Sequence, residues 1–288
     1  MTEKKQILVK KASGKTVPFS EEKIRNSLQR SGAGENEIKE ILNALWLQIY
    51  NGMPTKKIYR IAFSHLKKIS KPVAARYHLK NAIMELGPAG FSFEKYIATI
   101  LSLQGYSTKT GQKVRGKCVN HEVDVEAEND HHHFMIECKY HNQPGNVCDV
   151  KIPLYIHSRF KDVEEEWIKL PGHENKIHTG WVVTNTRFTS DAIQYGTCSG
   201  LKLTSWDFPD KFSLREQIDS LGLYPVTCLT TLTKEEKQHL LKNNIVLCRE
   251  LCHDNDILYK MNIKPGRITS ILNEGIDICH KMISSENH

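Results

Sequence analysis

Hydrophobic and polar positions along the chain follow two rhythms. In the first stretch, Ile38, Ile41, Leu42, Leu45 and Ile49 recur at helical spacing and predict a helix over about Asn36–Tyr50. Ile58, Ile61, Ala62, Leu66 and Ile69 predict another, opened by Thr55 as a cap. Asn51-Gly52-Met53-Pro54 and Lys71-Pro72 read as breaks, and a fourth helix runs on to about Leu86. Ahead of these lies a hairpin pattern. Residues 6–11 are strand-like, residues 12–15 form a turn, and Thr16-Val17-Pro18-Phe19 is the return edge. Ser20 then suits a helix N-cap, with Glu21 and Glu22 favourable in the first turn.

Gly87-Pro88-Ala89-Gly90 punctuates the chain, and a mixed rhythm follows. Ser92 is expected to cap a helix reaching about Leu103, and strands are expected near Thr108–Lys117, Glu122–Glu128 and Phe134–Tyr140. Residues 129–133 read as a polar turn. Next come a helix over about Ile152–Trp167, a strand over Gly180–Thr184, a short helix over Thr189–Cys198 and a strand over Leu201–Trp206. This order describes one sheet flanked by helices. From about Val226 the pattern is helical again, and Thr233 and Glu236 have capping-box spacing. The expected fold class is therefore α/β multidomain. Residues 1–90 are mostly helical with a β-hairpin, 91–225 form an α/β sheet domain, and 226–288 form a small helical module.

Composition narrows the class. The 288 residues are 39% hydrophobic and 25% charged, which suits globular domains. No run approaches the roughly 18 apolar residues of a membrane span. Met1–Gln6 lacks the apolar core of a signal peptide, so a cytoplasmic protein without a membrane partner is expected. The eight cysteines are expected as free thiols, and the Cys248/Cys252 pair has no matching second pair for a zinc site. Net charge is +7, unevenly spread: residues 1–90 carry 17 Lys and Arg against 7 Asp and Glu. Such asymmetry points to an anion, nucleotide phosphate or nucleic acid, with a solvated basic surface as the plain alternative.

Gly14-Lys15-Thr16 invites a phosphate-loop reading. That motif needs a glycine five positions earlier, where Val9 stands, and a helix next, where the pattern shows a strand. Another pattern fits better. Val9-Lys10-Lys11, Gly14, Phe19, Lys23-Ile24, Gly52, Thr55, Ile58 and Ala75-Arg76-Tyr77 resemble the ATP-cone, a nucleotide-sensing regulatory module. The resemblance implies ATP or dATP as a regulatory ligand. By carry-over, Lys10, Lys11 and Lys23 meet its phosphates, while Val9, Ile24 and Thr55 line its base. Clustered lysines suit a polyphosphate on physical grounds as well. Lys11 stands where Arg is common, keeping the charge without the bidentate geometry.

A second constellation lies on adjacent predicted strands, His121-Glu122-Val123-Asp124-Val125-Glu126 and Phe134-Met135-Ile136-Glu137-Cys138-Lys139. Glu137 and Lys139 are two apart and share a strand face. A hairpin register brings Asp124 beside Glu137, and two close carboxylates repel unless a cation lies between them. Mg²⁺ or Mn²⁺, taking oxygen ligands, is the expected occupant, with the Cys138 carbonyl as a further ligand. Lys139 then orients an attacking water and offsets developing charge. The plain alternative is a surface hairpin with an ordinary Glu–Lys pair.

Phe93-Glu94, Gly105-Tyr106, Glu122-Val123-Asp124, Glu137-Cys138-Lys139, Trp181-Val182-Val183-Thr184-Asn185, Phe188-Thr189 and Ala192 resemble the Mrr-like branch of the PD-(D/E)xK nucleases. The resemblance covers about residues 91–210. It implies a restriction-endonuclease-like fold and metal-dependent hydrolysis of DNA. Asp124 and Glu137 become metal ligands, Lys139 the catalytic lysine, and Glu94 the opening-helix glutamate that completes the metal shell. The approach to the aspartate, Asn120-His121-Glu122-Val123, departs from the usual Gly-Asp-Gly-Gly type and is closer to archaeal junction-cutting and repair relatives.

His121 and His141 flank these strands as solvated ends or phosphate contacts, and the His131–His133 run reads as a turn tip, with metal binding as the alternative. Residues 241–245 and 261–268 are faintly similar to helix-hairpin-helix turns. The balanced charge of 226–288 suits a packing or oligomerisation module equally well. Together these readings predict a nucleotide-regulated, Mg²⁺-dependent DNA endonuclease, associated by family with restriction or defence. Its expected partners are DNA, an adenine nucleotide and further copies of itself in a dimer or tetramer. The alternative is a nucleotide-sensing DNA-binding regulator with an inactive nuclease-like domain.

Overall fold

The computed structural model describes residues 7–87 and 90–279. Pro88 and Ala89 of the expected linker lie outside the described residues. The chain divides into two compact units, one made of the residues up to Ile83 together with those from Tyr224 onward, the other of Met84–Leu223.

The first unit opens with β1 (Leu8–Lys10) and β2 (Thr16–Pro18), an antiparallel hairpin in which Val9 faces Val17. Gly14 turns the chain at φ +82°, a conformation side chains resist. α1 (Glu21–Arg30) begins as expected at Ser20, whose hydroxyl accepts the Lys23 N–H at 3.3 Å. α2 (Glu35–Trp46) ends four residues earlier than its apolar periodicity suggests. The expected break then forms β3 (Met53–Pro54), parallel to β1 with Val9 facing Met53. α3 (Thr55–Ile69) is not capped by the Thr55 side chain; Pro54, held extended in β3, occupies the cap position and Thr55 is the first helical residue. α4 (Lys71–Met84) starts before Pro72 rather than after it, because a proline in the first turn forfeits no helix hydrogen bond. Leu28, Ile38, Ile41, Ala62 and Leu66 form one core cluster, and Val9, Leu45, Met53 and Ile58 another.

The second unit opens with α5 (Phe91–Ser102), whose N-cap position is Gly90; Ser92 lies inside the first turn and caps nothing. Then come β4 (Ser107–Arg115), β5 (Asn120–Glu128), β6 (His132–Lys139), α6 (Lys151–Trp167), β7 (Ile177–Thr184), α7 (Ser190–Cys198), β8 (Lys202–Thr204) and α8 (Leu214–Leu221). The sheet order is β4-β5-β6-β7-β8, antiparallel across its first three strands and parallel from β6 to β8. The turn before β6 is shorter than expected. Asn129 Oδ1 accepts the His131 and His132 N–H groups at 3.0 and 2.8 Å, so His132 and His133 enter the strand. Met135, Ile156, Phe160, Val163, Trp167 and Val182 pack into the core beneath α6. Gly180 permits the close approach of α6 to β7, since a Cβ there would lie 2.9 Å from the Phe160 ring.

The chain returns to the first unit with α9 (Lys234–Lys242), α10 (Cys248–His253), α11 (Asp256–Lys260) and α12 (Pro265–Cys279). Thr233 and Glu236 close the expected capping box at 3.2 and 2.8 Å. These helices pack with the helices of the first unit. Thr227 Oγ1 donates to the Ala82 carbonyl at 2.7 Å, Arg76 to Asp277 O at 2.6 Å, and Lys67 to Thr230 O at 3.2 Å. The buried Glu274 carboxylate accepts from Thr230 and Thr231 at 2.7–2.9 Å. Among the described residues, no helix is long and apolar enough to cross a membrane.

Candidate functional site

The strongest polar convergence lies where β5 and β6 part. The β5–β6 ladder runs as far as Val125 opposite Ile136. One step beyond, the Asp124 carboxylate accepts the Cys138 N–H at 2.7 Å. Alternation along β6 then places Glu137 and Lys139 on one face, the face on which Met135 packs against α6. Glu137 is nearly buried, with Lys139 Nζ 2.5 Å from one oxygen and the Arg159 guanidinium of α6 2.7 Å from the other. Arg159 also donates to the Glu122 carbonyl. Asn120, His121, Glu122, Asp124, Glu137, Tyr155 and Arg159 line a polar cleft of about 320 Å³.

Electrostatics marks the crowding. Burial, then the Glu137 charge, pushes the Asp124 carboxyl up to about 6, against the opposing pull of the Cys138 N–H, Lys139 and Arg159. Glu94 on α5 is pushed up to about 7 by burial and by Asp124, Glu122 and Glu137. Three acidic groups from α5, β5 and β6 therefore share one field. Two of them have their pKa raised towards neutral pH, the pattern of crowded carboxylates that gain from a cation. The donor set is all oxygen, which fits a hard divalent ion such as Mg²⁺ or Mn²⁺. Cys138 buries its thiol in the core, where desolvation raises its pKa well above normal, so any contribution to an ion comes from its carbonyl.

The structure thus brings together Asp124, Glu137, Lys139 and Glu94. Sequence reasoning missed Arg159 and Tyr155. Their signal was a cation and a phenol one helical turn apart, flanking the inward stripe of Ile156, Phe160 and Val163. His121 is not a solvated strand end, because its Nε2 lies 2.7 Å from Asp162 Oδ2. That contact, with the Cys118 N–H, holds the Asp162 carboxyl far below its usual range. His141 is half-buried, and its backbone is pinned on both sides by Asn185, at 2.8 and 2.7 Å. Burial lowers its imidazole pKa.

In the first unit, Lys10 lies beside Pro54 in the β1–β3 pairing, which sets the hairpin tip next to the N-terminus of α3 and Thr55. Lys10, Lys11 and Lys23 are exposed, and among the described residues no carboxylate pairs with them. Lys23 comes from the first turn of α1, reached from the other end of β2. The Val9 side chain is buried in the core and Ile24 half-buried beside it, so a ligand above them meets Val9 through its backbone. A larger cavity of about 610 Å³ lies along α3, with Lys56, Lys57 and Arg60 at its rim. None of the hairpin lysines lines it.

Residues 7–80 match the family model of the ATP cone domain, so the first unit begins with a nucleotide-binding regulatory module. Residues 224–279 match the model of the AF1548-like C-terminal domain. The chain is 39% identical over 155 residues to an uncharacterized protein of Archaeoglobus fulgidus, covering 54% of this chain and 83% of that relative. It is also similar to a solved structure, described as the protein of unknown function AF1548, at 32% identity and a TM-score of 0.53, covering 66% of this chain and 98% of that one. The chain belongs to the AF1548-like family.

Proposed function

We propose that the second unit hydrolyses phosphodiester bonds in DNA, using Mg²⁺ or Mn²⁺, and that ATP or dATP at the cone regulates it. The observation that carries this reading is the meeting of Asp124 and Glu137 in one polar cleft, with Lys139 Nζ on a Glu137 oxygen and Glu94 of α5 in the same electrostatic field. The element order α5-β4-β5-β6-α6-β7 supports it, being the order of the restriction-endonuclease-like core that the Mrr-like motifs imply.

Asp124, Glu137 and Glu94 would hold the ion, with the Cys138 carbonyl available as a further oxygen. When bound, the ion supplies Lewis-acid stabilisation of phosphoryl charge and a more acidic water. Lys139 Nζ, on the Glu137 side of the cleft, orients a water and offsets charge on the phosphate. Arg159 holds the second Glu137 oxygen and fixes the carboxylate plane, while Tyr155 borders the cleft where a substrate phosphate approaches. At the cone, Lys10, Lys11 and Lys23 meet the triphosphate, and the ligand acts by changing the oligomeric state between copies of the chain.

The second reading is a nucleotide-sensing DNA-binding regulator without hydrolysis. It is favoured by one feature, the engagement of both Glu137 oxygens by side-chain cations. Digestion of plasmid and linear DNA with Mg²⁺ or Mn²⁺, with and without ATP and dATP, separates the two. Cleavage that is lost in Asp124→Ala and Lys139→Ala, with nucleotide binding retained, supports the hydrolase. DNA binding without cleavage supports the regulator.

A further inference from the structure

At the opposite end of β6 from Glu137, we infer a second metal site: His133, His173 and His178 form a three-imidazole site for a zinc-type ion. It is independent of the hydrolase reading. His133 on β6 and His178 on β7 are direct partners in the parallel ladder. His173 comes from the turn between α6 and β7, where its N–H bonds to the Leu170 carbonyl at 3.1 Å and its carbonyl accepts the Lys176 N–H at 3.1 Å. One ring nitrogen from each of the three lies within 4.8 Å of the other two.

Packing alone does not account for these rings. Nδ1 of His133, Nδ1 of His173 and both ring nitrogens of His178 are buried without a hydrogen-bond partner. Buried polar atoms in native proteins are nearly always satisfied, and here four unsatisfied ring nitrogens belong to three clustered histidines. A single cation accepting a lone pair from each ring satisfies one nitrogen of all three. At His133 the outer contact already has the arrangement found around a metal centre. Glu126 Oε1 lies 3.1 Å from His133 Nε2, which holds the proton there and turns the Nδ1 lone pair inward. Glu128 Oε2 lies 3.7 Å from His173 Nε2, beyond hydrogen-bond reach, and accepts from Lys176 Nζ at 2.9 Å. Trp167 stacks on the His133 ring with centroids 3.6 Å apart, giving the site an apolar wall.

The donor chemistry chooses the ion. Three neutral imidazoles suit Zn²⁺ and its first-row neighbours, whereas Mg²⁺ requires oxygen. Zn–N bonds of about 2.0–2.1 Å in a tetrahedral shell need nitrogens about 3.3 Å apart, so binding draws the rings in from the 4.8 Å within which they lie. The fourth position falls to a water. The ion ties β6, β7 and the α6–β7 turn together, about 13 Å along β6 from Glu137 at 3.3 Å per residue.

The test uses the full chain, free of any histidine tag, stripped with chelator and titrated with Co²⁺ and then Zn²⁺. The expected result is the intense visible absorption of tetrahedral Co²⁺ saturating at one equivalent, displaced by Zn²⁺, with Zn²⁺ raising the melting temperature. His173→Gln, in an irregular turn, and His178→Gln should each lose the band and weaken Zn²⁺ binding at least tenfold, while His131→Gln and Asp124→Asn keep it. Metal-free melting of His173→Gln at the wild-type temperature shows that lost binding is not lost folding. No tetrahedral band in the wild-type chain, or a band that survives in both His173→Gln and His178→Gln, overturns the site.

Discussion

The two ends of β6 treat ionisable groups in opposite ways. Around Glu137, burial drives carboxyls upward, Asp124 to about 6 and Glu94 to about 7. Around His133, burial drives imidazoles downward, His178 to about 4. Desolvation favours the neutral form in both places, and the acid and the base respond with opposite sign. The consequence for metals also differs. The acidic end accumulates oxygen donors that repel one another, with Lys139 and Arg159 offsetting the charge on Glu137. The histidine end accumulates nitrogen lone pairs that cost nothing in charge but lack hydrogen-bond partners. One strand thereby offers two chemically distinct ligand sets.

The largest expected effect falls at the acidic end. Asp124→Ala or Lys139→Ala should lower Mg²⁺-dependent DNA cleavage by at least about 100-fold, since each removes a group that acts on developing charge. Gel digests with nucleotide binding followed in parallel check this, and normal cutting by both variants removes the active site from the cleft. At the histidine end, Glu126→Gln should weaken Zn²⁺ binding by about 10–100-fold by releasing the His133 tautomer, while leaving Mg²⁺ binding alone. Calorimetric titration of both ions in one variant tests whether the two ends are separate.

Acid should sharpen the contrast further. A proton on Asp124 or Glu94 competes with the ion, so Mg²⁺ affinity should fall by about tenfold for each pH unit and each group below pH 6 to 7. Mg²⁺ affinity that stays constant between pH 8 and pH 5 would show that these carboxyls are not ligands. The smallest effect concerns stability without metal. The folded His178 pKa of about 4 lies below the unfolded value near 6.5, so its contribution is present above pH 6.5 and is lost as pH falls towards 4. Melting of the metal-free chain should decline more steeply over that interval in the wild type than in His178→Gln.

Local chemistry made part of this legible. Ser20 and the Thr233–Glu236 box are sites where a side chain meets backbone three residues away, so spacing suffices. Glu137 and Lys139 share a face because a strand repeats every two residues. Arg159 was invisible because its partner is 22 residues away on another element. The Met53–Pro54 strand was invisible because two residues become a strand only once β1 lies beside them.

The order of helices and strands, the charge of the first segment, the ATP-cone pattern and the Asp124–Glu137–Lys139 constellation were all set by residue type at short range or fixed period. The tertiary structure alone decided that the C-terminal helices complete the first unit, that Arg159 grips Glu137, and that three histidines from two strands and a turn face one another. Each of these depends on side chains far apart in the chain meeting in a solvent-poor interior. There the cost of an unpaired charge or lone pair determines the partner, and spacing along the sequence carries no record of that cost.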